Sequence, residues 1–276
     1  MPVLSDTAAG AVKRPGSTIV AVKREYFDDP VAAYDRLGKD YAALCQRREL
    51  YLRTVENCIL QRIPAGSRSL LDIGSGDGRR ALRLASESRI KRVVLVEPSA
   101  GMTTEPIRQA EVWRLRAEEI NEDLISERFD VITCLWNVLG HVPNAALRQR
   151  ALANIAQLLT PDGRFFVDIN HRYNAAAYGT VPTLARWLRD RIFPGDQNGD
   201  VTAKWILGET SISTYGHVFT DREVMQLATA AGLSQEKRII INYESGRIRR
   251  FPFTGNLLYI FRRNSRIEAS SALATS

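Results

Sequence analysis

Cysteine and histidine are scarce in this chain of 276 residues. Its three cysteines, Cys45, Cys58 and Cys134, are odd in number and show no Cys-x-x-Cys spacing, which argues against a disulfide framework and against a cysteine zinc site. With only three histidines, His141, His171 and His217, no metal centre is expected. No apolar run approaches the roughly 18 to 20 residues that a membrane span needs. The stretch from Met1 to Arg14 lacks the apolar segment of a secretion signal, so a cytoplasmic protein without a membrane partner is expected. What is present is 45% hydrophobic and 25% charged residues, a balance that allows a substantial core and excludes wholesale disorder, collagen and coiled coil.

Charge leans to one sign, with 38 Lys+Arg against 31 Asp+Glu and a formal net charge of +7. Its distribution decides what that means. The arginines are spread along the chain. The densest groups, Arg247, Arg249 and Arg250, then Arg262, Arg263 and Arg266, lack the interleaved aromatics of a stacking platform. We read them as solvated basic surface and expect no nucleic-acid partner.

Both ends, residues 1–20 and 264–276, are mostly small and polar and are expected to be disordered. Between Pro30 and Ile63, apolar and aromatic residues recur at helical spacing, so two helices are expected in an N-terminal cap over residues 21–66. From Leu70 onward, strand and helix patterns alternate. Strands are expected at Leu70 to Ile73, Val93 to Glu97, Val112 to Arg116, Val131 to Leu135 and Arg164 to Asp168. Helices are expected at Arg80 to Ser88, after Pro98, and at Ala145 to Leu159. Such alternation implies an α/β fold with a largely parallel, doubly wound sheet. Helix Asp221 to Ala231 and strands Glu236 to Tyr243 and Asn256 to Arg262 close the chain, the last two as an antiparallel edge hairpin. Residues 171–217 fit neither pattern and are read as an insertion over the active face.

Leu70-Leu71-Asp72-Ile73-Gly74-Ser75-Gly76-Asp77-Gly78 ends the first strand and opens a helix, where an open α/β sheet binds its ligand. The glycine spacing is not the G-x-G-x-x-G of dinucleotide folds, and no Lys-Ser/Thr follows to make a Walker A loop. Asp72 would repel a pyrophosphate but favours a sulfonium and an amino group, which leans towards S-adenosylmethionine. Glu97 ends the next strand about twenty residues on, where a carboxylate can accept from both ribose hydroxyls. Glu118 ends the third strand and is a candidate acceptor for an adenine amino group, or simply part of an acidic stretch with Glu119 and Glu122.

Taken in order, these segments, with Ala117-Glu118, Phe129-Asp130-Val131-Ile132-Thr133 and Leu159-Thr160-Pro161-Asp162-Gly163-Arg164, resemble the motifs of class I S-adenosylmethionine-dependent methyltransferases. The resemblance covers roughly Ser67 to Arg263. It implies a Rossmann-like seven-stranded sheet with an antiparallel last strand, in a domain over residues 67–263; the insertion 171–217 and the N-terminal helices are read as a lid over it. It also implies S-adenosylmethionine as cofactor, held by Asp72 and the loop Gly74, Ser75, Gly76 and Gly78, by Glu97 and Pro98, by Ala117 and Glu118, and by Leu135.

A narrower similarity joins Cys134-Leu135-Trp136-Asn137-Val138-Leu139-Gly140-His141-Val142-Pro143 and Asp168-Ile169-Asn170-His171-Arg172-Tyr173 to glycine N-methyltransferase and its small-molecule relatives. It implies that Asn137 and Arg172 hold the acceptor, and that the N-terminal helices contribute Tyr34, Tyr41, Arg47, Arg48 and Tyr51. Trp136 and Val138 stand where the glycine enzyme has small residues, so glycine itself is not the expected acceptor.

Methyl transfer is an in-line displacement that chiefly needs alignment and exclusion of water. A base is needed more by a hydroxyl than by an amine, and His141 or His171 is the candidate, against a helix cap and a surface histidine. Asn137 is read as a catalytic positioning residue or an N-cap, Trp136 as a pocket wall or core, and Arg172 as a clamp or surface charge. The expected function is methylation of a small molecule, at nitrogen. RNA methylation, oxygen methylation with a histidine base, and a non-enzymatic cofactor-binding role stand as alternatives. A homodimer is left open.

Overall fold

Ser69 to Ile73 is buried along its whole length, because its alternate side chains enter apolar clusters on opposite faces of one sheet. Leu71 and Ile73 face one way with Ala151, Leu152 and Ile155, whereas Leu70 faces the other with Val55, Ile59 and Leu84. A computed structural model describes residues 18–20, 29–104, 107–121, 125–207 and 210–264. The expected tail beyond residue 264, residues 1–17 and the first part of the cap, 21–28, lie outside the described residues.

The chain runs β1 (Thr18–Val20), α1 (Pro30–Leu37), α2 (Tyr41–Arg47), α3 (Glu49–Leu60), β2 (Ser69–Ile73), α4 (Arg79–Ser88), β3 (Arg92–Val96), β4 (Glu111–Trp113), β5 (Phe129–Cys134) and α5 (Ala145–Leu158). It continues with β6 (Leu159–Ile169), α6 (Ala175–Tyr178), α7 (Thr180–Ile192), β7 (Asp200–Leu207), β8 (Thr210–His217), α8 (Asp221–Ala230), β9 (Leu233–Ile241), β10 (Ile248–Arg249) and β11 (Asn256–Arg263). The main sheet has the order β10-β9-β11-β6-β5-β2-β3-β4. β2 lies parallel to both β3 and β5, so the order reverses beside it and opens a crevice at its carboxyl end. β11 is antiparallel to β6 and β9, as the resemblance to class I methyltransferases implies of the last strand. Helices α5 and α8 pack on one face and α3 and α4 on the other.

Four features differ from the sequence expectation. The sheet has eight strands, not seven, because the two-residue β10 folds back on the free edge of β9. The cap has three helices where periodicity indicated two, since Arg48, at φ −118° and ψ 17°, breaks the second run without disturbing its apolar spacing. No helix follows Pro98 among the described residues. That segment docks on α1 instead: Ser99 Oγ and the Gly101 N–H both donate to Asp35 Oδ1, at 2.7 and 2.9 Å. Lastly, the insertion forms α6, α7 and an antiparallel β7–β8 ribbon. Thr18–Val20, within the segment expected to be disordered, pairs with β7, whose open edge offers unsatisfied backbone groups to a β-branched strand.

A third apolar cluster, with Ala33, Leu37, Tyr41 and Leu44 from the cap, Met102, and Ile212 of β8, binds the cap to the ribbon. Cap and ribbon therefore close over the carboxyl rim of the sheet together. Among the described residues no helix is long and apolar enough to cross a membrane.

Candidate active site

The turn after β2 is built from backbone. Gly74 and Ser75 both donate to the Val96 carbonyl, at 2.8 and 3.1 Å, which swings the chain across the end of β3. Gly74 takes φ +65°, and a Cβ there would lie 2.4 Å from Val138, so side-chain-free backbone is obligatory at this rim. Glu97 is folded into the same turn. One carboxylate oxygen accepts from Gly76 at 2.8 Å and the other from Ser99 at 2.9 Å, while burial pushes its pKa up to about 7. Asp72 lies beside Thr133 across the β2–β5 ladder and accepts from its hydroxyl at 2.6 Å. Burial raises the Asp72 carboxyl to about 6 against the opposing pull of the Arg80 cation.

Two cavities open at this rim. The first is walled by the glycine loop at Gly74 and Gly76, by Glu97 and Pro98, by Ala117 and Glu118, by Leu135, and by Tyr34 of α1. Its one lining cation, Arg116, is paired with Asp29 at 2.8 Å, so two carboxylates set the sign of the pocket. The second, of about 1070 Å³, lies between the cap, the insertion and the β9–β10 loop. Tyr34, Tyr41, Trp136 and His141 line both cavities and form their junction.

At that junction the Tyr34 hydroxyl meets His141 Nε2 at 3.0 Å, and His141 Nδ1 meets the Tyr215 carbonyl at 2.9 Å. Trp136 is fixed by donation from its backbone N–H to Asp168 and from Nε1 to the Tyr243 hydroxyl at 3.1 Å. Trp136 and Asn137 both have φ of +61°, a strained conformation for residues with side chains, held here by those bonds.

The structure brings most of the expected residues together, with corrections. Asp72, beneath the loop, and Ser75 and Gly78, within it, line neither cavity. Asn137 borders the second cavity, but its amide donates to the His217 carbonyl at 3.1 Å and accepts from Asn170 at 2.9 Å. It heads the short 3-10 turn of Val138–His141 without a side-chain cap bond, so it acts as a clamp between backbone segments. Arg172 lines neither cavity. It is buried, bonded to Asp190 at 3.1 Å and Glu223 at 2.7 Å, and ties α7 to α8, a role its sequence neighbours could not reveal. His171 is likewise buried, against the Pro252 carbonyl at 2.9 Å, and burial lowers its pKa to about 4. Tyr51 donates to Asp168 at 2.6 Å beneath the floor of the site. Arg47 and Arg48 do border the second cavity, Arg48 lying 4.5 Å over the Tyr243 ring. Sequence reading missed Met102 in the first cavity and Arg186, Lys204, Trp205 and Tyr243 in the second. The alternation Val201-Thr202-Ala203-Lys204-Trp205-Ile206 was the available signal for the ribbon that carries two of them.

Residues 41–237 match the model of a methyltransferase domain. The chain belongs to that methyltransferase family. Among curated relatives, a dTDP-4-amino-2,3,4,6-tetradeoxy-D-glucose N,N-dimethyltransferase of Saccharopolyspora spinosa is 28% identical over 156 residues, 55% of this chain and 59% of the relative. A glycine/sarcosine N-methyltransferase of Parasynechococcus marenigrum is 27% identical over 157 residues, 53% of this chain and 51% of the relative. The chain thus spans little more than half the length of either. In fold it is similar to the CcbJ methyltransferase of Streptomyces caelestis, at TM-score 0.63 and 16% identity, over 86% of this chain and 99% of that one. The sugar N-methyltransferase KedS8 of a Streptoalloteichus species superposes at TM-score 0.56 and 17% identity, over 90% and 99% of the two chains.

S-adenosylmethionine is the cofactor this methyltransferase family implies, and the residues present fit it. The first cavity pairs apolar walls with carboxylate acceptors and carries no unpaired cation to oppose a sulfonium. Beside it, the Ser75 hydroxyl is buried without a hydrogen-bond partner.

Proposed function

We propose that this methyltransferase moves a methyl group from S-adenosylmethionine to a nitrogen of a small-molecule acceptor in the cytoplasm. One observation carries the reading: a carboxylate-lined cavity at the glycine loop adjoins a larger cavity, the two sharing Tyr34, Tyr41, Trp136 and His141 as lining. Both oxygens of Glu97 keep lone pairs beyond their backbone bonds and are the acceptors for the ribose hydroxyls. Glu118 is the acceptor for the adenine amino group, and Asp72 adds negative potential beneath the loop. That both curated relatives are named for N-methylation supports nitrogen as the acceptor atom. The free cysteines support a reducing compartment.

When bound, S-adenosylmethionine supplies an electrophilic methyl group on a positively charged sulfur. The chain's own residues align, dry and deprotonate. Tyr34, Tyr41 and Trp136 wall the junction with aromatic surface and exclude water from the line of attack. An acceptor that arrives as an ammonium must lose a proton before its lone pair is free. The Tyr34 oxygen takes that proton while its own passes to His141 Nε2, and the Tyr215 carbonyl supports the imidazolium through Nδ1. The same pair serves a hydroxyl acceptor, which keeps oxygen methylation as a second reading. Matched amine and alcohol acceptors, assayed for S-adenosylhomocysteine formation, separate the two: turnover of amines alone supports nitrogen, and turnover of alcohols alone replaces it.

A further inference from the structure

The second cavity has the opposite electrical character to the first. Arg47, Arg48, Arg186 and Lys204 line it against one carboxylate, Glu244, and none of the four cations forms an ion pair among the described residues. Arg186 Nη1 is buried with no hydrogen-bond partner, and its guanidinium lies 4.6 Å from the Tyr178 ring centre. Arg48 lies 4.5 Å from the Tyr243 ring centre in the same way. Both guanidiniums line the same cavity, each held over a tyrosine ring.

Stacking on a ring fixes the plane of a guanidinium and leaves its edge N–H groups free to bond, an arrangement suited to a phosphoryl oxygen pair. A buried, unpartnered N–H on a cation is costly unless an anion completes it. The methyl donor's one anion, its methionine carboxylate, travels with the sulfonium into the proposed acidic cavity, so the four cations of the second cavity are left for the acceptor. A glycine-sized acceptor does not use about 1070 Å³ walled by Tyr178, Trp205 and Tyr243.

The geometry points to an acceptor that carries a phosphoryl or pyrophosphoryl group, gripped by Arg48 and Arg186 with Arg47 and Lys204 at the rim, while its amine reaches Tyr34 and His141. This rests on the methyltransferase reading and names the substrate class for the same site. The aromatic walls pack against the body of the acceptor between its two ends.

The test is calorimetric titration of the full chain, first loaded with S-adenosylhomocysteine, using inorganic pyrophosphate, uridine diphosphate and acetate. Pyrophosphate and the nucleotide bind saturably at one site, and acetate at least tenfold more weakly. Arg48→Gln, Arg186→Gln and Lys204→Glu each weaken pyrophosphate at least fivefold and leave S-adenosylhomocysteine affinity within twofold. Lys204 is exposed, so its variant keeps the fold even where the stacked arginines do not tolerate change. Uridine diphosphate binding tenfold tighter than pyrophosphate assigns the group to a nucleotide-linked acceptor; equal affinity assigns it to a simpler phosphorylated amine. Either result supports the proposal. A protein that binds S-adenosylhomocysteine but neither phosphate probe overturns it, as does phosphate binding indifferent to all three variants. A protein that fails to bind S-adenosylhomocysteine overturns the methyltransferase reading itself, and this inference with it.

Discussion

The Tyr34 hydroxyl lies 3.0 Å from His141 Nε2, on the side of the ring away from the Tyr215 carbonyl. A carbonyl oxygen only accepts, so Nδ1 carries the imidazole proton and Nε2 is left to accept from Tyr34. Burial lowers the pKa of His141 below 6.5, which keeps that acceptor lone pair available at neutral pH. Tyr34→Phe or His141→Gln is therefore expected to lower kcat by about 10- to 100-fold, the lower part of the range for general base catalysis. Both side chains line the cofactor cavity, but Tyr34→Phe keeps its ring there and neither change removes the Glu97 acceptor, so cofactor affinity should stay within about threefold. The neutral ring is the active form, so wild-type kcat stays flat through neutral pH and declines only on the acid side of 6.5. In His141→Gln that acid limb disappears from the steady-state profile.

Glu97 gives cofactor binding a pH dependence of its own. Its carboxyl is raised from 4.5 to about 7 by burial, and the ionised form is the better acceptor for ribose hydroxyls. Affinity for S-adenosylhomocysteine should therefore rise between about pH 6 and about pH 8, and the binding heat should vary with buffer in the manner of proton release. Glu97→Gln is expected to weaken binding by about 1 to 3 kcal/mol and to flatten the pH dependence. Titrations in two buffers at each pH give both quantities.

Asp72 affects stability more than contact. Its folded pKa, about 6, lies above the ordinary 3.8, so the folded state holds the proton more tightly. The stability it contributes is complete below 3.8 and is lost as pH rises through about 6. Urea unfolding of the cofactor-free protein should show wild type losing more stability than Asp72→Asn between about pH 4 and about pH 7. Parallel curves for the two proteins would remove the buried charge from the explanation.

Gly74 and Gly66 separate crowding from backbone strain. Both have positive φ, but a Cβ at Gly66 meets nothing within 4 Å, whereas at Gly74 it lies 2.4 Å from Val138. Gly66→Ala should cost about 1 to 2 kcal/mol in unfolding free energy. Gly74→Ala should cost more and also abolish cofactor binding, because Val138 lines the cofactor cavity.

Arg172 bridges Asp190 and Glu223 in the interior, where His217 also sits between Asp200 at 2.7 Å and Glu223 at 2.8 Å. Arg189 still pairs with Asp190 at 3.0 Å and His217 with Glu223 at 2.8 Å once that cation is removed, so Arg172→Gln should destabilise by about 1 to 3 kcal/mol, the range for lost charged hydrogen bonds. A substrate clamp would behave differently. It would raise KM for the acceptor and leave the unfolding curve unchanged.

The sheet was legible because its signals are local. Asp72, the three glycines, Glu97 and Glu118 sit at fixed distances from strand ends, and strand ends are visible as apolar runs broken by polar residues. What escaped depends on pairing at long range. Thr18–Val20 becomes a strand only because β7 presents an edge to it, and Lys204 and Trp205 enter the site only through that ribbon. Arg172 and His171 directly follow a strand end, as site residues do, and only burial against α7, α8 and the Pro252 carbonyl shows that they face inward. The segment after Pro98 failed to become a helix because Asp35, on another element, took its donors.

Calorimetric titration of the intact chain with S-adenosylhomocysteine and, separately, with NAD bears most directly on the carboxylate-lined cavity. One-to-one binding of the thioether that weakens in Glu97→Gln, with no heat from NAD, is the result expected of a pocket built for a positively charged sulfur compound. Tight NAD binding with no response to the thioether would mean that the cavity holds a phosphate-bearing cofactor instead.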